Sequence, residues 1–308
     1  NQGAWPFMAL NLPELLAPRG SDFTGESVRC RAQALRAEAL ALGDDQQGAL
    51  RLLDQLDREL TRFHATGIID DVLSPADRSV LAQSMLNVLL VCGQGDRCRD
   101  LAESVIDGHH GNPLSAQYAE LVLAAVDAMT GEREQAYQRA ARLVAQLGEM
   151  GNPHELQVAR ALLVSCSEGD DDVTDARASK VFQALVEGQT GQLAGQPLGR
   201  LGWVAELFLA WSTARIHSPE ASIARLTALA DRAAQAGLSA VEMSALACAF
   251  QFGELALAPR LAEVAARTQL ASSGPVLLAA RSIMEGDDEL LVQSLEALAT
   301  AGYAAHLD

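Results

Sequence analysis

Aromatic residues, lysine, strand-like alternation and long apolar runs are all scarce in this chain of 308 residues. Aromatics make up 4% of it, and Lys180 is its only lysine. No stretch reaches the roughly 18 apolar residues that a membrane span needs, and no segment alternates convincingly as a strand does. Acids outnumber bases 40 to 23, and the resulting net charge of −17 would repel a phosphate backbone. We therefore expect neither membrane insertion nor direct binding to nucleic acid.

Cysteine is also sparse and follows neither a disulfide nor a zinc pattern. The five cysteines are odd in number and lie mostly among apolar residues, at Cys30, Cys92, Cys98, Cys166 and Cys248. This usage is typical of buried free thiols in a reducing compartment. The closest two have no second pair or histidine at a zinc spacing. Residues 1–20 carry three prolines and no basic region, unlike a secretory signal, so we expect a cytoplasmic protein.

Alanine and leucine, both strong helix formers, supply most of the apolar residues that are present. Proline marks the helix starts. Gly111-Asn112-Pro113 recurs forty positions later as Gly151-Asn152-Pro153, with an asparagine cap before a proline at the first helical position. Further starts are expected at Ser74-Pro75, Gln196-Pro197, Ser239 and Pro275. These positions predict a repeat with a period near forty residues.

A turn with an acidic residue lies between successive helix starts. These turns are Gly95-Asp96, Gly131-Glu132, Gly169-Asp170, Ser218-Pro219-Glu220, Gly253-Glu254 and Gly286-Asp287. A glycine there can end one helix in the left-handed conformation, and the acid favours the positive end of the next helix. The two series alternate, so each unit is predicted to be a helix, a tight turn and a second helix.

Apolar stripes at spacings of three and four complete the fold prediction. One lies on Tyr118, Leu121, Val122, Ala125 and Met129, and another on Tyr137, Ala140, Ala141, Val144 and Leu147. Neither helix could bury its stripe alone, so neighbouring pairs must stack. The sequence predicts an all-α, right-handed α-solenoid of antiparallel helix pairs. The predicted units are 75–108, 113–148, 153–190, 197–236, 238–269 and 275–302, with a further pair at 26–42 and 45–65.

The predicted domain organisation is simple. Residues 1–23 form an irregular entry segment, and residues 24–308 form the helical-repeat domain. The loop at 188–197 contains three glycines and is the predicted hinge, so two lobes meeting there remain an alternative to a single superhelix.

The sequence contains no convincing catalytic, metal or nucleotide motif. Around Asp170-Asp171-Asp172 and Asp175, the glycine and glutamate of a calcium loop are missing. Asp70-Asp71 lacks the third acid of a magnesium motif, and Ser74 is interpreted as a helix cap. His109-His110 lies in a loop between repeats, and no glycine-rich phosphate loop is present. We therefore predict no enzyme activity, no metal and no cofactor.

Five aromatic residues are the candidate binding residues. Trp203, Phe208 and Trp211 share one predicted helix, and Phe250 and Phe252 lie on or near a later one. Core packing explains them most simply. The alternative is that some of them line a ligand or peptide groove, where aromatic side chains often anchor a partner.

The chain resembles the tetratricopeptide-like region of large LuxR-type transcriptional regulators that are similar to the maltose-regulon activator. The resemblance rests on Leu277-Leu278-Ala279-Ala280-Arg281, Gly286-Asp287, Leu295-Glu296-Ala297-Leu298 and Ala301-Gly302-Tyr303, and on the turn Gly131 to Ala136. It implies a helical array between a nucleotide-binding module and a DNA-binding module. It also implies that the array senses a protein, peptide or small-molecule inducer.

Two functions remain open on the sequence. The chain ends as another helix begins and does not start with methionine, so we expect a piece of a longer regulator. The other candidate is a free-standing scaffold, such as a peptide-binding adaptor or receptor. Repeat folds support both uses, and both allow a homo-oligomer.

Overall fold

The computed structural model describes residues 23–108, 113–150, 153–167, 180, 182 and 200–298. These residues form fourteen α-helices and one short 3-10 turn, Leu255–Leu257. The helices are α1 Phe23–Leu42, α2 Gln46–Ala65, α3 Ile69–Val72, α4 Pro75–Val91, α5 Gly95–Asp107, α6 Pro113–Met129, α7 Arg133–Met150, α8 Pro153–Cys166, α9 Gly202–Ile216, α10 Pro219–Ala236, α11 Ser239–Gln251, α12 Ala258–Arg267, α13 Ser273–Glu285 and α14 Asp288–Leu298.

The architecture is an all-α helical-repeat solenoid, as the sequence predicts. Helices pack pairwise in chain order, and the described ranges contain no strand. The predicted pairs correspond to α1–α2, α4–α5, α6–α7, α9–α10, α11–α12 and α13–α14. The second half of the predicted unit 153–190 and the predicted hinge at 188–197 lie outside the described residues, apart from positions 180 and 182.

Local capping chemistry sets several of the helix ends. The Ser74 hydroxyl accepts a hydrogen bond from the Asp77 amide at 3.2 Å, and the Asp77 carboxylate accepts one from the Ser74 amide at 3.3 Å. This reciprocal box, with Pro75 as the first helical residue, confirms the predicted cap. Ser218 caps α10 in the same way, by accepting from the Ala221 amide at 3.2 Å. Gly237 ends α10 with φ of 69°, a conformation that favours glycine.

Three predicted helix boundaries are wrong. Helix α13 begins at Ser273 rather than at Pro275, whereas α11 begins at Ser239, where the sequence predicts a start. The left-handed glycine before α5 is Gly93, with φ of 67°, whereas Gly95 is already helical. The helix expected to start at Pro197 begins at Gly202. Local sequence rules locate helix ends only to within a few residues, because packing also decides where each helix begins.

The solenoid has an inner and an outer layer. The first helices of the pairs pack against each other, as α1 does on α4, α4 on α6 and α9 on α11, and the second helices cover them from outside. Residues 84–92 and 121–128 are buried without interruption, so the C-terminal halves of α4 and α6 are enclosed on all sides. The outer helices keep an exposed polar face. This difference explains why apolar residues lie on every side of the buried halves of α4 and α6.

The superhelix also closes on itself, which the sequence did not predict. Helix α11 contacts α1. At this junction the Gln46 side chain accepts a hydrogen bond from the Gln269 amide at 2.7 Å, although the two residues are 223 positions apart. Arg267 lies 3.6 Å from Asp44. These contacts join the pair α1–α2 to the pair α11–α12.

Candidate functional site

An apolar cavity of about 160 Å³ lies where helices from both halves of the solenoid converge. It is lined by α4, α6, α9, α11, α12, α13 and α14, together with the loop after α12. The lining side chains are Leu90, Val91, Met129, Trp203, Val204, Leu207, Phe208, Trp211, Met243, Ser244, Ala247, Cys248, Phe250, Gln251, Leu261, Leu270, Ser272, Val276, Ala279 and Leu291. A cavity that is mostly apolar and has a few polar groups is the usual form of a small-molecule site.

The structure places four of the five predicted aromatic residues on this cavity. Trp203, Phe208 and Trp211 line it from α9, and Phe250 lines it from α11. Phe252 stands just behind, with its ring centroid 5.0 Å from that of Trp211 and the two rings tilted by 60°. Trp203 and Phe208 are buried, and the other three are half-buried. The two interpretations left open by the sequence therefore overlap, since these side chains are packed in the core and also border a cavity.

The two indoles of the cavity differ in their hydrogen bonding. Trp211 forms a hydrogen bond with the Cys248 side chain. The Trp203 indole N–H is buried and has no hydrogen-bond partner among the described residues, and Trp203 as a whole is 6% exposed. An indole nitrogen can only donate, so only an acceptor could satisfy it. Buried donors without a partner are uncommon in folded proteins.

The remaining polar side chains of the described lining are few and uncharged. No acidic, basic or histidine side chain is found among the described residues that line the cavity. The Ser244 hydroxyl donates to the Ala240 carbonyl at 2.9 Å, so its proton is already used within α11. An ionised ligand would find no opposite charge among the described residues of this lining.

The cysteines are structural rather than reactive. Four of the five are buried and all five are free, which confirms the expected thiols. Burial raises the pKa of the Cys92 and Cys98 thiols to about 12. Burial likewise raises the pKa of Cys248 to about 11, although its hydrogen bond with Trp211 acts in the opposite direction. Thiols of this kind stay protonated and are poor nucleophiles at neutral pH.

A buried polar cluster links the inner helices α1 and α4 to the start of α9. The Glu38 carboxylate is 1% exposed and accepts hydrogen bonds from Asn87 at 2.8 Å and from Ser84 at 3.1 Å. The Arg200 guanidinium lies 3.1 Å from it. Burial raises the pKa of Glu38 above its usual range, against the lowering effect of Arg200 and the hydrogen bonds. Nearby, burial also raises the pKa of Tyr118.

Other inner helices carry a buried acid that is bound by arginines of the outer layer. The acids are Asp127, Glu206 and Glu242, which are all less than a tenth exposed. The pairs are Asp127 with Arg99 at 2.6 Å and Arg139 at 2.9 Å, Glu206 with Arg225 at 2.9 Å and Arg232 at 3.5 Å, and Glu242 with Arg260 at 2.9 Å and Arg267 at 2.8 Å. Each carboxylate is therefore held between two cations, and the layers are joined at several places along the array.

The spacing of acids and arginines in the sequence reflects these ion pairs. Glu120 and Glu206 are each followed nineteen positions later by the arginine that binds them, and Glu242 is followed by Arg260 eighteen positions later. Residues at this spacing lie beside each other in the fold, with the acid on an inner helix and the arginine on the next outer helix. The pattern becomes visible only after the repeat phase is known.

The acidic and histidine motifs form no site where they are described. Asp70 and Asp71 lie exposed on the short helix α3, and Asp70 pairs with Arg78 at 2.5 Å. His109-His110 and Asp170 to Asp175 lie outside the described residues. Across the described ranges, no group of three or more His, Cys, Asp or Glu side chains could hold a metal ion. Within the same ranges no helix combines the length and apolar character needed to cross a bilayer.

Comparison with known proteins gives no family for this chain, since no protein-family model matches it and a search of curated proteins found no match.

Proposed function

We propose that this helical array is the sensor domain of a LuxR-type transcriptional regulator and that it responds to a small-molecule inducer. The observation that supports this best is the cavity, which is bordered by helices from at least four units of the solenoid. A molecule bound there would contact α4, α9, α11 and α13 together. Its binding energy would therefore stabilise the closed arrangement over any arrangement in which these units separate.

The closure of the superhelix favours a small molecule over a peptide as the inducer. Adaptors of this architecture bind extended peptides along an open concave surface, whereas the C-terminal halves of α4 and α6 are enclosed by other helices. The cavity of about 160 Å³ is also too small for a peptide segment with several side chains. These features favour the sensor over the free-standing adaptor.

The gene itself provides the first test. We expect a helix-turn-helix to be encoded within about a hundred codons after Asp308 and a nucleotide-binding module to be encoded before Asn1. A stop codon directly after Asp308 would refute the regulator proposal and favour the scaffold. We also expect the 308-residue chain alone to bind neither DNA nor ATP, which filter binding and a fluorescent-nucleotide titration would check.

A further inference from the structure

The loop between α12 and α13, residues 268–272, lies between the cavity and the contact that closes the superhelix. We propose that this loop couples the two, so that a molecule in the cavity strengthens the closing contact and Gln46 acts as a positioning residue for that molecule. This inference rests on the proposed sensor function, because it explains how occupation of the cavity would be transmitted to the shape of the array.

On its inner side the loop forms part of the cavity wall. Leu270 and Ser272 line the cavity from the loop, and Met243 lines it from α11. The Thr268 hydroxyl lies 3.1 Å from the Met243 sulfur, and the Ser273 hydroxyl lies 3.5 Å from it. The Ser273 hydroxyl also accepts a hydrogen bond from the Leu270 amide at 3.1 Å. In a close-packed interior the loop therefore cannot shift without moving the wall against which a ligand would pack.

On its outer side the same loop makes the closing contact. The Gln269 amide donates a hydrogen bond to the Gln46 side chain at 2.7 Å. The Gln269 side chain accepts one from the Gln47 amide at 3.4 Å. Gln269 is exposed, whereas the next residue, Leu270, is buried in the cavity wall. Two successive residues thus join α2 on one side to the cavity on the other.

The closing contact is weak enough for a ligand to shift. Its polar part consists of these two neutral hydrogen bonds and the pair of Arg267 and Asp44, whose side chains are 40% and 56% exposed. An exposed ion pair contributes little, and one neutral hydrogen bond changes an equilibrium constant only about twofold to tenfold. A ligand that packs better against Leu270 when the loop is in place would therefore favour the closed arrangement measurably.

Benzene serves as the probe, because a dry apolar cavity of about 150 Å³ binds it and the present cavity measures about 160 Å³. Its dissociation constant is measured by isothermal titration with the 308-residue chain, with Gln46→Ala and with Gln55→Ala. Gln46→Ala removes an acceptor of the closing contact, and Gln46 is not among the described residues that line the cavity. Gln55 is the matched control, since it is an exposed glutamine on the same helix. Circular dichroism verifies that each variant is folded.

We expect Gln46→Ala to raise the dissociation constant of benzene about threefold to tenfold, because the closed arrangement that binds it is less populated. Gln55→Ala should leave the constant within about twofold of wild type. A local loosening of α2 would not by itself change the affinity of a distant cavity. A change in Gln46→Ala alone would therefore identify transmission from the closing contact to the cavity.

Hydrogen exchange in wild type measures the same coupling from the other end. The exchange rate of the Gln269 amide, followed by NMR, reports opening of its bond to Gln46. Saturating benzene should slow this exchange about threefold to tenfold, because coupling between two sites is reciprocal. The Ala221 amide, which bonds to Ser218 at 3.2 Å at the start of α10, is the internal control and should exchange at an unchanged rate.

Four results would overturn the inference. Benzene could bind Gln46→Ala as tightly as wild type, or both variants could weaken it equally. Benzene could leave the exchange of the Gln269 amide unchanged. Finally, wild type could fail to bind benzene, which would identify the cavity as a packing void. If Gln46→Ala does not fold, the exchange rates in wild type decide between coupling and its absence.

The two proposals can fail separately. The regulator function is refuted by the codons that follow Asp308, whatever the titrations show. The coupling is refuted by the titrations and the exchange rates, even if a helix-turn-helix is present in the gene.

Discussion

The buried carboxylate of Glu242 provides a sharp test of how the two layers are held together. Its side chain is 4% exposed, with Arg260 2.9 Å from one oxygen and Arg267 2.8 Å from the other. The arginines are about a third exposed or more, and each has further acidic neighbours, Asp231 for Arg260 and both Asp44 and Glu263 for Arg267. We predict that removing either arginine alone lowers stability only slightly, whereas removing both lowers it by much more than the sum of the two single effects.

The expected loss of stability in each variant depends on whether the buried Glu242 carboxylate keeps a cation beside it. Arg260→Ala or Arg267→Ala alone leaves Glu242 with one cation and removes a partly exposed group, so each should lower the free energy of unfolding by about 1 kcal/mol. The double variant leaves a buried carboxylate without a cation among the described residues, which should lower it by about 3–5 kcal/mol. The double variant should therefore exceed the sum of the single variants by about 1–3 kcal/mol.

A third substitution separates charge burial from lost packing. Adding Glu242→Gln to the double variant should restore at least about 1 kcal/mol, because a neutral amide is less costly to bury than an unpaired carboxylate. Urea unfolding followed by circular dichroism at 222 nm measures all of these changes. Arg281→Ala, at an exposed position of α13, is the control and should change stability by less than about 0.5 kcal/mol. Strictly additive single effects, or further loss on adding Glu242→Gln, would refute the reasoning.

Three further predictions follow from the closed solenoid. The pKa of Glu38, beside Arg200, is raised in the folded state. The stability of wild type relative to Glu38→Gln should therefore fall as the pH rises from about 4.5 through that raised pKa. Urea midpoints measured across this pH range would test it. Gln46→Ala removes the acceptor for the Gln269 backbone amide and the donor to the carbonyls of Ala41 and Gly43. It should therefore lower the free energy of unfolding by about 2 kcal/mol. An unchanged urea midpoint would mean that the junction is not closed in solution. Ala247→Leu places extra carbon in the cavity and should raise stability by about 1 kcal/mol, as calorimetry would test.

Much of the fold could be predicted because its signals are local. The cap at Ser74 and the start of α4 depend on residues within one turn of each other. The stripe through Tyr118 and Leu121 is set by the 3.6-residue period of a single helix. The free and mostly buried cysteines follow from their apolar neighbours. The boundaries at Gly95 and Pro275 were missed because the structure begins α5 and α13 at positions that local capping rules did not identify.

The candidate site could be predicted only in part. The spacing of Trp203, Phe208 and Trp211 identified a cluster of aromatics on one helix. It could not distinguish a filled core from a core with a cavity, because this depends on how α4, α11 and α13 approach α9. The difference between the two indoles was equally hidden, since it depends on whether Cys248 of another helix lies within reach of Trp211.

The sequence by itself determined that this protein is an all-α array of helix pairs, since helix period, proline starts and glycine turns act over a few residues. Only the tertiary structure decided that the array closes, that Gln46 meets Gln269, and that an apolar cavity remains beside an unpaired indole. The physical reason is distance along the chain. Contacts between residues more than two hundred positions apart depend on the accumulated rotation of every unit between them, and no local pattern specifies that sum.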